Sequence, residues 1–213
     1  IFDPFNFQSK EIYKRNVEKI NPEIIEESSL YKFRYILFNA SIDPRKNLSM
    51  ILNAYNKSNL YKKNIKLCIC GNIPNNQLSK LIFSTIESSN GIICTGYVNE
   101  EIKSQLYLYA LATLNSSLIE GFGLPVFDAS CLGLKSYVSD CLSHHEIHNL
   151  YDFCDFVVIN KLNNFQGWLK SLNSISIIKS DFEQIAKDRI ERYKFFEKKI
   201  ENNFLSSINS LIN

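Results

Sequence analysis

The chain has 213 residues, 45% hydrophobic and 22% charged, with a formal net charge of +2. That length carries one well-buried domain, or a domain with an appendage, and that composition excludes a disordered chain. A charge so close to zero excludes a strong nucleic-acid field, and no apolar run reaches the roughly 20 residues that span a bilayer.

Residues 1–34 show no clear period, although 9–20 is compatible with a helix, and they are expected to be a linker or the remnant of a preceding domain. From Tyr35 short apolar runs alternate with amphipathic ones. Strands are expected at 35–40, 65–70, 91–95, 112–116, 135–138 and 156–159, and helices at 48–57, 76–88, 100–110, 124–132 and 144–150. The strands are apolar at successive positions, as in parallel sheets covered on both faces. The expected fold is therefore α/β: a Rossmann-like, doubly wound parallel sheet of about six strands with helices on both faces, spanning 35–180. A charged amphipathic helix over 181–213 is expected to pack on the domain edge. Its Lys and aromatic content also allows peripheral contact with an anionic membrane.

Most of the six cysteines, Cys68, Cys70, Cys94, Cys131, Cys141 and Cys154, lie in apolar strand-like or helix-like runs, and none forms a C-x-x-C pair. Reduced, buried thiols in a cytoplasmic protein are the expectation. Cys68 and Cys70 alternate with Ile69 and share one strand face as core.

Ligands of such sheets bind beyond the carboxyl ends of the strands, and the distinctive motifs all fall there. After the first strand, Asp43-Pro44-Arg45-Lys46-Asn47 leads into a helix. Arg45 and Lys46 are either a cationic pair for a diphosphate or solvated basic residues at a helix start. After the third strand, Gly96-Tyr97-Val98-Asn99 opens a helix with Asn99 as N-cap. The backbone of Tyr97 and Val98 either reads a base edge or is an ordinary connection.

After the fourth strand comes Glu120-Gly121-Phe122-Gly123-Leu124-Pro125, with Asp128 eight positions beyond Glu120. Gly121 and Gly123 are expected to allow a tight turn and close approach of a ligand. The helix beginning at Leu124 presents N–H groups and a favourable dipole to an anion. Two carboxylates at different depths suit a ligand with an anionic middle and hydroxyl-bearing ends, such as a sugar nucleotide. His144, His145, Glu146 and His148 follow the pattern H-H-E-x-H, which is not that of a zinc peptidase, and a helix start explains them. The glycine motifs of nicotinamide and nucleoside-triphosphate sites are absent.

From Tyr35 to Leu172 the sequence resembles the donor-binding half of family 4 retaining glycosyltransferases, which have the GT-B architecture of two facing Rossmann-like domains. The resemblance rests on Glu120-Gly-Phe-Gly-Leu-Pro with Asp128, Gly133, Ser139 and Glu146. Pro44-Arg45-Lys46-Asn47, Gly71 and Gly96-Tyr97-Val98 support it. It implies that Lys46 neutralises the donor diphosphate and that Glu120 holds the sugar hydroxyls, these two being the catalytic residues. It also implies that the Phe122, Gly123 and Leu124 backbone meets sugar and phosphate.

Asp128 stands where the family carries a second Glu for the ribose, one methylene longer. Ala40 stands where an Arg is common, leaving Arg45 as the nearest second cation. Lys46, Arg45 and the helix terminus supply the positive potential, so no metal or other cofactor is expected. The implied reaction is transfer of a hexose from a nucleoside-diphosphate sugar to a glycan or lipid-linked acceptor. The Pro-Arg-Lys-Asn loop is similar to that of some mannosyltransferase-like members, which suggests mannose or a related hexose. The acceptor would be held by a second, preceding domain, so that this chain alone binds nucleotide weakly and transfers little sugar. A non-catalytic sugar-nucleotide-binding module and a GT-B-like epimerase or phosphorylase are the competing classes.

Overall fold

The computed structural model describes residues 34–178 and 181–212, with side-chain detail through residue 203. The expectation for 1–34 falls, save Arg34, outside the described residues.

Among the described residues six parallel strands form one sheet: β1 (Tyr35–Asn39), β2 (Lys66–Cys70), β3 (Ile92–Gly96), β4 (Ala112–Asn115), β5 (Ser136–Ser139) and β6 (Val157–Asn160). Their order is β3-β2-β1-β4-β5-β6. The chain winds outward through β2 and β3, then crosses to the far side of β1 and winds outward again. Between them run α1 (Leu48–Lys57), α2 (Gln77–Glu87), α3 (Glu100–Tyr109), α4 (Leu124–Cys131), α5 (Leu142–His148), α6 (Phe165–Ser174) and α7 (Phe182–Ile212).

The alternation of side chains along each strand divides the core in two. Ile36, Phe38, Leu67 and Ile69 pack with Ile51, Leu52 and Tyr55 of α1, Ile82 of α2, and Trp168 and Leu172 of α6. On the other face Leu37, Cys68 and Cys70 pack with Ile102 and Tyr107 of α3, Val126 of α4, and Tyr193 and Phe196 of α7. Cys68 and Cys70 thus share a face opposite Ile69, and burial pushes both thiols up, Cys70 to about 11. Cys141 is only half-buried and Cys154 is exposed, in contrast to the four strand and helix thiols.

Two differences from the expected elements have local causes. Helix α6 was not expected: Asn164 caps it by accepting from the Gly167 N–H at 2.9 Å, and Trp168 anchors it with an Nε1–H to the Lys161 carbonyl at 3.2 Å. Helix α5 begins two residues earlier than expected, after Cys141, which offers no side-chain cap. Helix α7 lies against the C-terminal end of α3. There the buried Arg189 guanidinium donates to the Leu108 and Ala110 carbonyls, groups a helix end leaves unsatisfied. Among the described residues no helix is long and apolar enough to cross a membrane.

Candidate active site

The strand order sets the location. β1 and β4 are neighbours whose following connections diverge, so the carboxyl edge between them is the switch point where α/β sheets open a crevice. The Lys46 loop leaves β1 there and the Glu120 loop leaves β4.

The β1 loop closes with a 3-10 turn, Pro44–Lys46, capped by Asp43, and Asn47 in the left-handed region redirects the chain into α1. The two loops are joined. The Leu118 N–H donates to the Arg45 carbonyl at 2.7 Å, and the Ser116 hydroxyl donates to the Lys46 and Asn47 carbonyls at 2.8 and 3.0 Å.

Across this seam Lys46 Nζ meets Glu120 Oε1 at 2.6 Å. Glu120 lies not at the strand end but five residues beyond Asn115, in an irregular loop. Its Oε1 also accepts from the Ser117 hydroxyl at 2.7 Å, and its carbonyl accepts from the Ser143 hydroxyl at 3.1 Å. Burial pushes the Glu120 carboxyl up, but hydrogen bonds from Lys46 and Ser117 and the Lys46 charge outweigh it and hold it below the ordinary value. The pair is therefore an ionised carboxylate against an ammonium that keeps donors to spare.

Beyond Glu120, Gly123 takes φ 88° as the N-cap of α4, a conformation that favours glycine. A Cβ there would stand 3.1 Å from Ile147 Cδ1. Gly121 is different: its backbone is not left-handed and an added Cβ would meet nothing within 4 Å. The expected turn thus depends on Gly123, while Gly121 leaves open space beside the carboxylate. Phe122 and Leu124 are exposed, Phe122 resting on Phe127 with ring centroids 5.3 Å apart.

From Lys46 a cleft of about 360 Å³ extends over the ends of β1, β2 and β3. Its floor is Asn39–Ser41 and Cys70–Asn72, and Tyr97, Val98, Glu100 and Lys103 line its other flank. The Val98 side chain is buried in the core, while Tyr97 is 73% exposed. Neither Lys103 nor Glu100 was singled out from the sequence. They are i, i+3 on the first turn of α3, a spacing that places them on one face.

Arg45 does not join Lys46. Its side chain, 68% exposed, turns back in a bidentate pair with Asp43 at 3.0 and 2.9 Å. That hydrogen bonding brings the Asp43 carboxyl down to about 2. Among the described residues Lys46 and Lys103 are the cations lining the cleft.

The histidines part company. His144 is fully buried, its Nδ1 2.8 Å from the Ser139 carbonyl, which makes Nδ1–H the donor, and burial lowers its basicity. His145 Nε2 pairs with Asp140 at 2.5 Å, and His148 is half-buried beside Asn149. Among the described residues no group of three potential ligands is placed to hold a metal.

Asp128 lies one turn inside α4. Burial pushes its carboxyl up to about 6, with the Lys103 charge opposing and the Glu100 charge adding to the shift. A carboxyl whose folded value exceeds its ordinary one binds its proton more tightly in the folded state. Its contribution to stability is therefore full below about pH 4 and is lost as pH rises towards and through 6. Asp128→Asn is expected to abolish that slope and to raise stability at pH 7.5 by about 1–3 kcal/mol. Urea unfolding between pH 4 and 8 measures both; an unchanged slope in the variant contradicts the assignment.

A cation and a carboxylate at a switch point, beside a glycine turn that opens a helix, offer chemistry that suits an anion and hydroxyl groups. The sequence profile of the family Glycosyl transferases group 1 matches residues 21–201, and the chain belongs to that family. No curated protein matches the sequence. Among solved structures, Anabaena Alr3699/HepE in complex with UDP and glucose superposes with a TM-score of 0.63 at 12% identity, covering 97% of this chain and 56% of that one. A structure named as trehalose-6-phosphate from E. coli, bound with UDP-2-fluoro glucose, gives 0.58 at 13% identity, covering 96% and 49%. The pneumococcal O-GlcNAc transferase GtfA in complex with UDP and GlcNAc gives 0.52 at 17% identity, covering 80% and 36%. These likenesses show a shared fold, one Rossmann-like half of a GT-B architecture. The chain spans about half the length of the first two structures and about a third of the last.

Proposed function

We propose that this chain is the donor-binding half of a retaining glycosyltransferase that moves a hexose from a nucleoside-diphosphate sugar to a glycan or lipid-linked acceptor. The 2.6 Å pair of Lys46 and Glu120 at the switch point carries the reading. As the bond from the anomeric carbon to the diphosphate oxygen breaks, negative charge grows on the departing diphosphate and positive charge on the sugar ring. Lys46 and the N-terminus of α4 stabilise the first, fixed in place before the reaction begins. Glu120, held ionised, accepts from sugar hydroxyls through lone pairs that Lys46 and Ser117 leave unused. Asp128 accepts from the ribose, and Lys46 with the helix terminus supplies the charge without need of a metal. The backbone of Phe122, Gly123 and Leu124 borders the sugar, and a preceding domain supplies the acceptor site. The relatives crystallised with UDP and a sugar lend the donor class support.

Glu120→Ala in the full-length enzyme tests this. Transfer is expected to fall by about 10²-fold or more as the sugar loses its orienting acceptor. Transfer at the wild-type rate would defeat the proposal, and interconversion of the free sugar nucleotide without acceptor would assign an epimerase instead.

A further inference from the structure

We propose that the nucleobase of the donor is guanine, read by Glu100 and Lys103. The inference rests on the cleft being the donor site.

The sheet order gives the cleft a direction. Lys46 stands above β1, and Glu100 and Lys103 stand at the start of α3, after β3. Two strand spacings separate β1 from β3, roughly 10 Å. With the diphosphate against Lys46, the nucleoside reaches the α3 end. Tyr97, exposed on the rim, offers a ring face for a base to stack on.

At that end of the cleft Lys103 Nζ faces the Glu100 carboxylate, 2.7 Å from Oε1 and 2.5 Å from Oε2. The cleft thus presents a cationic donor directly beside a carboxylate with two acceptor oxygens. Guanine alone among the common bases shows the matching edge: the O6 acceptor beside two adjacent donors, N1–H and N2–H. With its ammonium turned from the carboxylate to O6, lysine donates there while the two freed carboxylate oxygens accept from the N–H groups. Uracil offers O4 and N3–H but then sets its O2 lone pairs against the second carboxylate oxygen. Adenine and cytosine each place a single amino donor beside a ring acceptor, and that acceptor would face the carboxylate.

Titration calorimetry of the 213-residue chain with GDP, IDP, UDP and ADP decides the matter, because IDP differs from GDP only by the 2-amino group. GDP is expected to bind tightest, with IDP about tenfold weaker for the lost charge-assisted hydrogen bond. UDP and ADP are expected to be weaker than GDP by at least that factor. In Glu100→Gln, whose amide offers one acceptor in place of two, the preference for GDP over IDP should vanish. UDP or ADP binding as tightly as GDP, or IDP equalling GDP, overturns the guanine assignment while leaving the donor site standing. An equal loss for all four ligands in Glu100→Gln overturns it too, by marking Glu100 as merely structural. Failure of every diphosphate to bind removes the donor-site reading and this inference together.

Discussion

Lys46→Ala is expected to lower kcat of the full-length enzyme by about 10²–10³-fold, the range seen when one preorganised donor to a developing anion is removed. Two features make the loss large. Among the described residues no second cation backs Lys46 at its end of the cleft, since the Arg45 guanidinium is engaged with Asp43 and Ala40 carries no charge. The substitution also removes the hydrogen bond and charge from Lys46 that hold the Glu120 carboxyl low, leaving burial to push it up against Ser117 and Asn115. On the proposed roles, one substitution is therefore expected to weaken both leaving-group stabilisation and sugar orientation. Arg45→Ala, by the same geometry, costs much less. Steady-state rates with a fixed donor and acceptor measure the pair, and an equal loss in both variants would place the diphosphate elsewhere.

Gly71→Ala is expected to destabilise the fold by about 3 kcal/mol or more, seen as a lowered urea midpoint. Gly71 follows β2 with φ 148°, and its N–H donates to the Gly96 carbonyl at 2.9 Å. A Cβ there would stand 2.2 Å from the Ala40 carbonyl oxygen and 2.9 Å from the Ser41 nitrogen. Both are backbone atoms at the end of β1, so no rotamer change relieves the overlap, and the β1 loop that carries Lys46 must move. Gly121→Ala is the internal comparison, because its Cβ meets nothing within 4 Å. A stability change within about 0.5 kcal/mol is expected there. Similar losses at both positions would show that the close approach at Gly71 is not what limits the fold.

Strands and their helices were legible because burial on both faces leaves a continuous apolar signal: β1 to β6 fall within a residue or two of the apolar runs. Helix α6 was not, although Phe165, Trp168 and Leu172 are spaced as one helical face. Gly167 and the surrounding Asn and Ser weaken its intrinsic propensity, and packing of Trp168 against the sheet outweighs them. The location of Lys46 and Glu120 followed from their motifs, but their mutual contact depends on β1 and β4 being neighbours, a property of strand order. Arg45 shows the opposite limit. Its adjacency to Lys46 in sequence suggested a cationic pair, yet Asp43 two residues earlier offers a nearer, bidentate partner. Ser117, Ser143 and Lys103 carry no motif of their own and become visible only once the loops are folded together.

The hydrogen bonds from Leu118 to Arg45 and from Ser116 to Lys46 and Asn47 rivet two loops into one plate. Lys46 and Glu120 ride on that plate, so the main-chain positions from which their side chains reach each other are held together. In a two-domain enzyme that opens and shuts around its substrates, the plate travels as a single body. On the proposed assignment, the charge for the diphosphate and the carboxylate for the sugar would then keep step through every cycle, and closure would need only to bring the acceptor to a donor already held in register.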